Sequence, residues 1–338
     1  MLAALPVATD SPLQRLLTRK LLLTRSPPPP GKGTQSFNAL RIRKLLEAGM
    51  LKEAAAIATN VRVKDDLVTA RVQADALLLA GRDEVACGDA TAARLQSADE
   101  YWIELRAFCY ALTNDSALDL TRSVIESQNF QDAAFDAALD AMTGGKPKAP
   151  DAIATPSALH LRMFERLKWP VPSVAADAVG LPGVLLALRS PGTPLAAKVA
   201  LAHDAFDAGV LSGADLAAAL DLISFKPQEL GAAAAQARGE EPMRGLALIR
   251  TALRDENDSD RRAELLSTGL RIGAQNDMFA SASDLFGGDA TTLVPRPDWD
   301  NWSFIMASGL LLAGHADAAE QWSNLIDRAQ PKIGRAHV

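Results

Sequence analysis

Hydrophobic positions along this chain recur with the spacing of amphipathic helices. Between residues 97 and 113, Trp102, Leu105, Cys109 and Leu112 stand at i, i+3, i+7 and i+10, and Tyr101 and Phe108 widen that stripe. Ser97 with Glu100 three places on reads as a capping box that opens the helix. Thr113-Asn114-Asp115 closes it, because asparagine tolerates the left-handed conformation of helix ends. Ser116 is expected to cap the next helix, with Leu118, Leu120, Val124 and Ile125 facing inward. So short a turn makes the two helices antiparallel neighbours.

The same periodicity predicts helices over 11–24, 39–48, 51–59, 65–80, 131–142, 158–168, 195–208, 215–224, 242–254, 260–271, 277–285 and 301–313, with a final helix carrying Trp322. In 158–168 the inward residues are expected to be Leu159, Met163, Phe164 and Leu167. Ser259 or Asp260 is expected to cap the helix beginning near 260. No run alternates in the manner of a strand, and alanine is abundant while aromatics make up only 5%. Small apolar side chains suit close helix packing and do not suit strands. The fold class predicted is all-α.

A turn pattern repeats within these helices. Leu45-Leu46-Glu47-Ala48-Gly49 precedes Lys52-Glu53-Ala54-Ala55, and Leu78-Leu79-Ala80-Gly81 precedes Asp83-Glu84-Val85-Ala86. Ala111-Leu112-Thr113-Asn114 precedes Ser116-Ala117-Leu118, and Leu311-Leu312-Ala313-Gly314 precedes Asp317-Ala318-Ala319-Glu320. Turn positions 49, 81 and 114 lie 32 and 33 residues apart. The pattern resembles tetratricopeptide-type helical repeats, whose period is about 34 residues, and it covers 36–130 and 300–328 best. That resemblance implies an α-solenoid of antiparallel helical hairpins, with a concave face that binds a protein or peptide partner.

Breaks in the pattern divide the chain. Residues 1–35 form a basic N-terminal segment ending in Pro27-Pro28-Pro29-Pro30, which favours a short extended spacer. Residues 36–142 hold the tetratricopeptide-like repeats, 143–157 a linker rich in glycine and proline, and 158–330 a second, less regular section split by Pro182, Pro191 and Pro194. Ile333-Gly334-Arg335-Ala336-His337-Val338 continues no helical pattern and matches a translated frame of a common sequencing adapter. Residues 331–338 are therefore expected to be a non-native tail, with the native chain running on past about Gln330.

Charge is distributed unevenly. Residues 1–64 carry eleven Lys/Arg against three Asp/Glu, so the net −6 of the chain conceals about +8 followed by about −14. Such a basic segment could meet nucleic acid or anionic lipid, but its charges are scattered between leucines with few aromatics, which reads instead as a solvated helix face. Arginine and alanine excess points to a GC-rich bacterial genome.

The two cysteines, Cys87 and Cys109, allow two readings. A disulfide would stabilise by roughly 3 kcal/mol on a loop-entropy basis and would imply an oxidising compartment such as the periplasm. Two buried thiols would behave as small hydrophobes and leave a cytoplasmic location open. Leu21-Leu22-Leu23 is too short and too closely flanked by cations to span a membrane.

Catalytic and cofactor chemistry finds no foothold. His160, His203 and His315 each stand isolated among apolar or small residues. The Gly144-Gly145-Lys146 triplet lacks the spacing of a phosphate loop, and the acidic run at 255–260 lacks the glycine and final carboxylate of a calcium loop. No catalytic, cofactor-binding or metal-binding residue is nominated. The function expected is a non-enzymatic protein-interaction scaffold, with a periplasmic location. The alternative is an enzyme whose site lies in the irregular middle third or beyond the end of the chain.

Overall fold

A computed structural model describes residues 2–7, 12–24, 36–61, 66–88 and 97–329. The proline run at 27–30, part of the loop between the cysteines and the tail from 330, including His337, lie outside the described residues. Among those described, all regular structure is helical, as the periodicity predicts. Two compact units are present: Met1–Leu201 with Ala208–Val210, and Ala202–Asp207 with Leu211–Val338.

The first unit contains α1 (Pro12–Leu23), α2 (Phe37–Glu47), α3 (Leu51–Asn60), α4 (Leu67–Leu79), the single-turn α5 (Asp83–Ala86), α6 (Glu100–Thr113), α7 (Ala117–Ser127), α8 (Ala133–Met142), α9 (Ala158–Leu167), α10 (Ser173–Val179) and α11 (Leu181–Arg189), with the first residues of α12 (Leu195–Asp207). The expected linker, 143–157, falls inside this unit.

The repeated turns share one geometry. Gly49, Gly81 and Asn114 all adopt positive φ, at 70°, 73° and 52°. After each, the next amide reaches back five residues to a helix carbonyl: Met50 to Leu45 at 2.8 Å, Arg82 to Leu77 at 2.8 Å and Asp115 to Tyr110 at 3.0 Å. This bond closes the last helical turn and reverses the chain, and glycine or asparagine is needed for it.

Local corrections have local causes. Asp99, not Ser97, caps α6, accepting from the Tyr101 amide at 3.2 Å, while Ser97 Oγ accepts from the Asp99 amide at 3.2 Å. A carboxylate at the positive end of a helix outcompetes a hydroxyl there. On α7 the buried residues are Leu118, Thr121 and Ile125, and Leu120 is 71% exposed. Only one face of that helix is covered, and Leu120 lies off it. On α9, Leu167 is only half-buried, while His160 and Leu161 are buried with Leu159, Met163 and Phe164. α1 turns Thr18 and Leu22 inward and leaves Leu16, Leu17 and Leu21 exposed.

Contacts in this unit are not confined to consecutive helices. α9 packs against α4, and α11 packs against both α2 and α4, so later helices return onto the first hairpins. Cys87, just after α5, is disulfide-bonded to Cys109 on α6. α5 is further tied to α9 by the buried Asp83, which accepts hydrogen bonds from Arg162 and Arg166.

The second unit contains the rest of α12, then α13 (Gly213–Leu220), α14 (Pro227–Gly231), α15 (Ala233–Gln236), α16 (Pro242–Arg254), α17 (Ser259–Gln275), α18 (Phe279–Ala290), α19 (Asp300–Leu312) and α20 (Ala316–Ala329). Here helices from α16 onward pack in chain order, each on the next. Gly269 allows α17 to approach α18 closely, since a Cβ there would stand 2.5 Å from the Phe286 ring. Asp258 caps α17, accepting from the Arg261 amide at 2.9 Å, in place of the expected Ser259 or Asp260. Asp260 instead accepts from the Trp299 indole at 2.8 Å and pairs with Arg296. Of the aromatic group, Trp299 and Trp322 are buried and stacked with centroids 5.8 Å apart, whereas Phe304 is exposed.

Candidate functional site

Three helix N-termini of the first unit border one cavity of about 470 Å³. Asp99, Glu100, Tyr101 and Glu104 come from the start of α6, and Gln131 to Ala134 from the start of α8. The segment ending in Ser157 and His160 comes from the start of α9, and Arg71 reaches in from α4. Four carboxylates thus face one guanidinium.

Two of those carboxylates are occupied. Asp99 caps α6, and Asp132 caps α8 by accepting from the Ala134 and Phe135 amides at 3.1 and 2.9 Å. Burial works against the Asp132 charge, but the hydrogen bond from His160 and those two amides hold its carboxyl below the ordinary range. Ser157 caps α9, its hydroxyl accepting from the His160 amide at 3.4 Å.

His160 is not isolated. Its Nδ1 lies 2.8 Å from Ser157 Oγ, its Nε2 lies 3.0 Å from Asp132 Oδ2, and Phe135 meets the ring edge-on. The imidazole therefore joins the capping groups of α8 and α9. His203 likewise stands near Asp207 and Ser281, each at 3.5 Å.

Glu104 is the exceptional member. It is only 7% exposed as a residue and lines the cavity, and its carboxylate oxygens, which no hydrogen bond engages among the described residues, open onto that space. Burial pushes its pKa up to about 7; the nearby His160 opposes this, and Asp132, Glu100 and Asp136 add to it. So enclosed an acid, with no hydrogen bond to offset its partial desolvation, is costly in its charged form.

Beside it, the Tyr101 hydroxyl donates to Asp75 Oδ1 at 2.7 Å, and the Arg71 guanidinium stacks 4.3 Å from the Tyr101 ring centroid. Burial raises Asp75 to about 6, opposed by the Tyr101 hydrogen bond and the Arg71 charge. Burial, then the adjacent Asp75, raises the Tyr101 phenol well above its usual range.

None of these residues was nominated from the sequence, yet Glu104 left a trace there. Tyr101, Glu104 and Phe108 stand at i, i+3 and i+7, so an acid occupies a position in an otherwise apolar stripe. Its convergence with Asp132, Ser157 and His160 has no local signal. Among the described residues no cluster of His, Cys, Asp and Glu is arranged to hold a metal, and no helix is long and apolar enough to cross a membrane. No protein-family model, curated protein or solved structure matches the chain.

Proposed function

We propose that this protein is a non-enzymatic interaction scaffold of tetratricopeptide-like helical hairpins, whose first unit receives a cationic group of a protein partner in the Glu104 cavity. The observation that carries this reading is Glu104, a nearly buried residue whose carboxylate, free of hydrogen bonds among the described residues, opens into a cavity with an excess of acids. A cation brought there gains a desolvated counter-charge, and Glu104 gains the partner it lacks. The shared turns at Gly49, Gly81 and Asn114, with Gly314 at φ 85°, support the hairpin repeat. The Cys87–Cys109 disulfide supports a periplasmic location. The test is titration with lysine- or arginine-containing peptides, followed by calorimetry. Binding that Glu104→Gln weakens by about tenfold or more sustains the reading, at about 1.4 kcal/mol per decade; equal binding by the variant overturns it.

One observation favours an enzyme instead, the run of contacts Ser157–His160–Asp132. Ser157 Oγ is engaged as a helix cap, which weighs against a nucleophilic role. A serine-directed fluorophosphonate probe decides the point: labelling of Ser157 at neutral pH would establish the enzymatic reading.

A further inference from the structure

A second cavity, of about 610 Å³, shares Arg71, Pro156 and Ser157 with the Glu104 cavity and so has a common wall with it. Its chemistry differs. Leu46, Leu79, Val179, Leu181 and Pro182 line it, with Arg43, Glu47 and Asp75 as its further charged groups. The shared wall includes Arg71, which lies over the Tyr101 ring and makes no hydrogen bond to another described residue, leaving its N–H groups for a ligand carbonyl.

We infer that the ligand is an extended peptide segment in which a lysine or arginine enters the Glu104 cavity and an aliphatic residue one or two positions away fills the adjoining one. This rests on the reading of the Glu104 cavity as a cation receptor and deepens it. A cation alone would leave the second cavity, with the half-buried Val179 and Leu181 in its lining, unfilled, and an aliphatic ligand alone would leave Glu104 without a counter-charge. Extended chain places side chains on one side at every second residue, about 7 Å apart, and the shared residues Arg71, Pro156 and Ser157 put the two cavities side by side. Burying one aliphatic side chain in the second cavity supplies specificity that acidic residues cannot.

Two hexapeptide libraries test this on the full chain, one with lysine fixed at the third position and one with acetyl-lysine there, all other positions randomised. Leucine, isoleucine, valine or methionine should be enriched about tenfold at one of the four positions within two residues of the lysine. Val179→Asp should abolish that enrichment while leaving the preference for lysine over acetyl-lysine, and Glu104→Gln should do the reverse. Circular dichroism on both variants keeps misfolding distinguishable from lost recognition. Lysine preference without aliphatic enrichment overturns the two-cavity inference and leaves the cation receptor standing. Equal capture of both libraries overturns both.

Discussion

Arg162 grips Asp83 through two hydrogen bonds, Nε to Oδ1 at 2.7 Å and Nη2 to Oδ2 at 2.8 Å, across 79 residues of sequence. Arg166 adds a third at 2.8 Å, and Glu165 holds the far side of Arg162. This cluster fastens the one-turn α5 to α9, the helix that carries His160. Asp83 is buried, and removing it leaves guanidinium groups facing an emptied site. Asp83→Ala should lower unfolding free energy by about 3 kcal/mol, measured by urea denaturation. Unchanged stability would mean that packing and the disulfide hold α5 without this cluster.

The disulfide fastens the other side of α5. Reduction, or the Cys87→Ala/Cys109→Ala pair, should cost roughly 3 kcal/mol and lower the melting temperature. A thiol count under denaturing, non-reducing conditions should find no free thiol in the native protein. Two free thiols would remove the support for an oxidising compartment.

Glu104 makes stability depend on pH in a defined direction. Its folded pKa of about 7 stands above the ordinary glutamate value of 4.5, so between those values the native state keeps a proton that the unfolded state has lost. Stability from this group therefore falls as pH rises through that window. Relative to wild type, Glu104→Gln should gain stability progressively from about pH 4.5 to 7, by up to roughly 3 kcal/mol. Equal stability-versus-pH curves would show that the carboxylate is solvated.

Asp75 behaves in the same sense over a lower window, from 3.8 to about 6. Asp75→Asn preserves an acceptor for the Tyr101 hydroxyl, so it should flatten the stability profile below about pH 6 without loosening α6. Tyrosine fluorescence and the denaturation profile check both halves of that expectation.

In the second unit, Trp322 is fully buried against Trp299, and its indole nitrogen has no partner. Trp322→Ala should cost about 3–5 kcal/mol through the cavity it leaves. Trp322→Phe should cost much less, because no hydrogen bond is lost with the indole N–H. Comparable losses in the two variants would place an unseen partner on that nitrogen.

What could be read along the chain was whatever is decided within a few residues. Helix content, the turns at Gly49, Gly81 and Asn114, and helix 242–254 to the residue all follow from periodicity, capping chemistry and the conformational freedom of glycine and asparagine. Local chemistry does not choose where two neighbours can serve equally: Asp99 caps in place of Ser97, and Asp258 in place of Ser259 or Asp260. Leu120 is exposed despite its place in the pattern, because periodicity identifies a stripe but not how much of it a neighbour covers.

The amino-acid sequence by itself determined that this chain is helical and where many of its helices stop, since both depend on bonds between residues close in sequence. Only the tertiary structure decided that α9 returns to α4, that Asp83 meets Arg162, and that Glu104 is buried beside His160 with no partner of its own. Those outcomes depend on which apolar faces cover one another over dozens of residues, and many leucine- and alanine-lined faces in this chain are chemically alike. Packing chose among them, and that choice created the cavity.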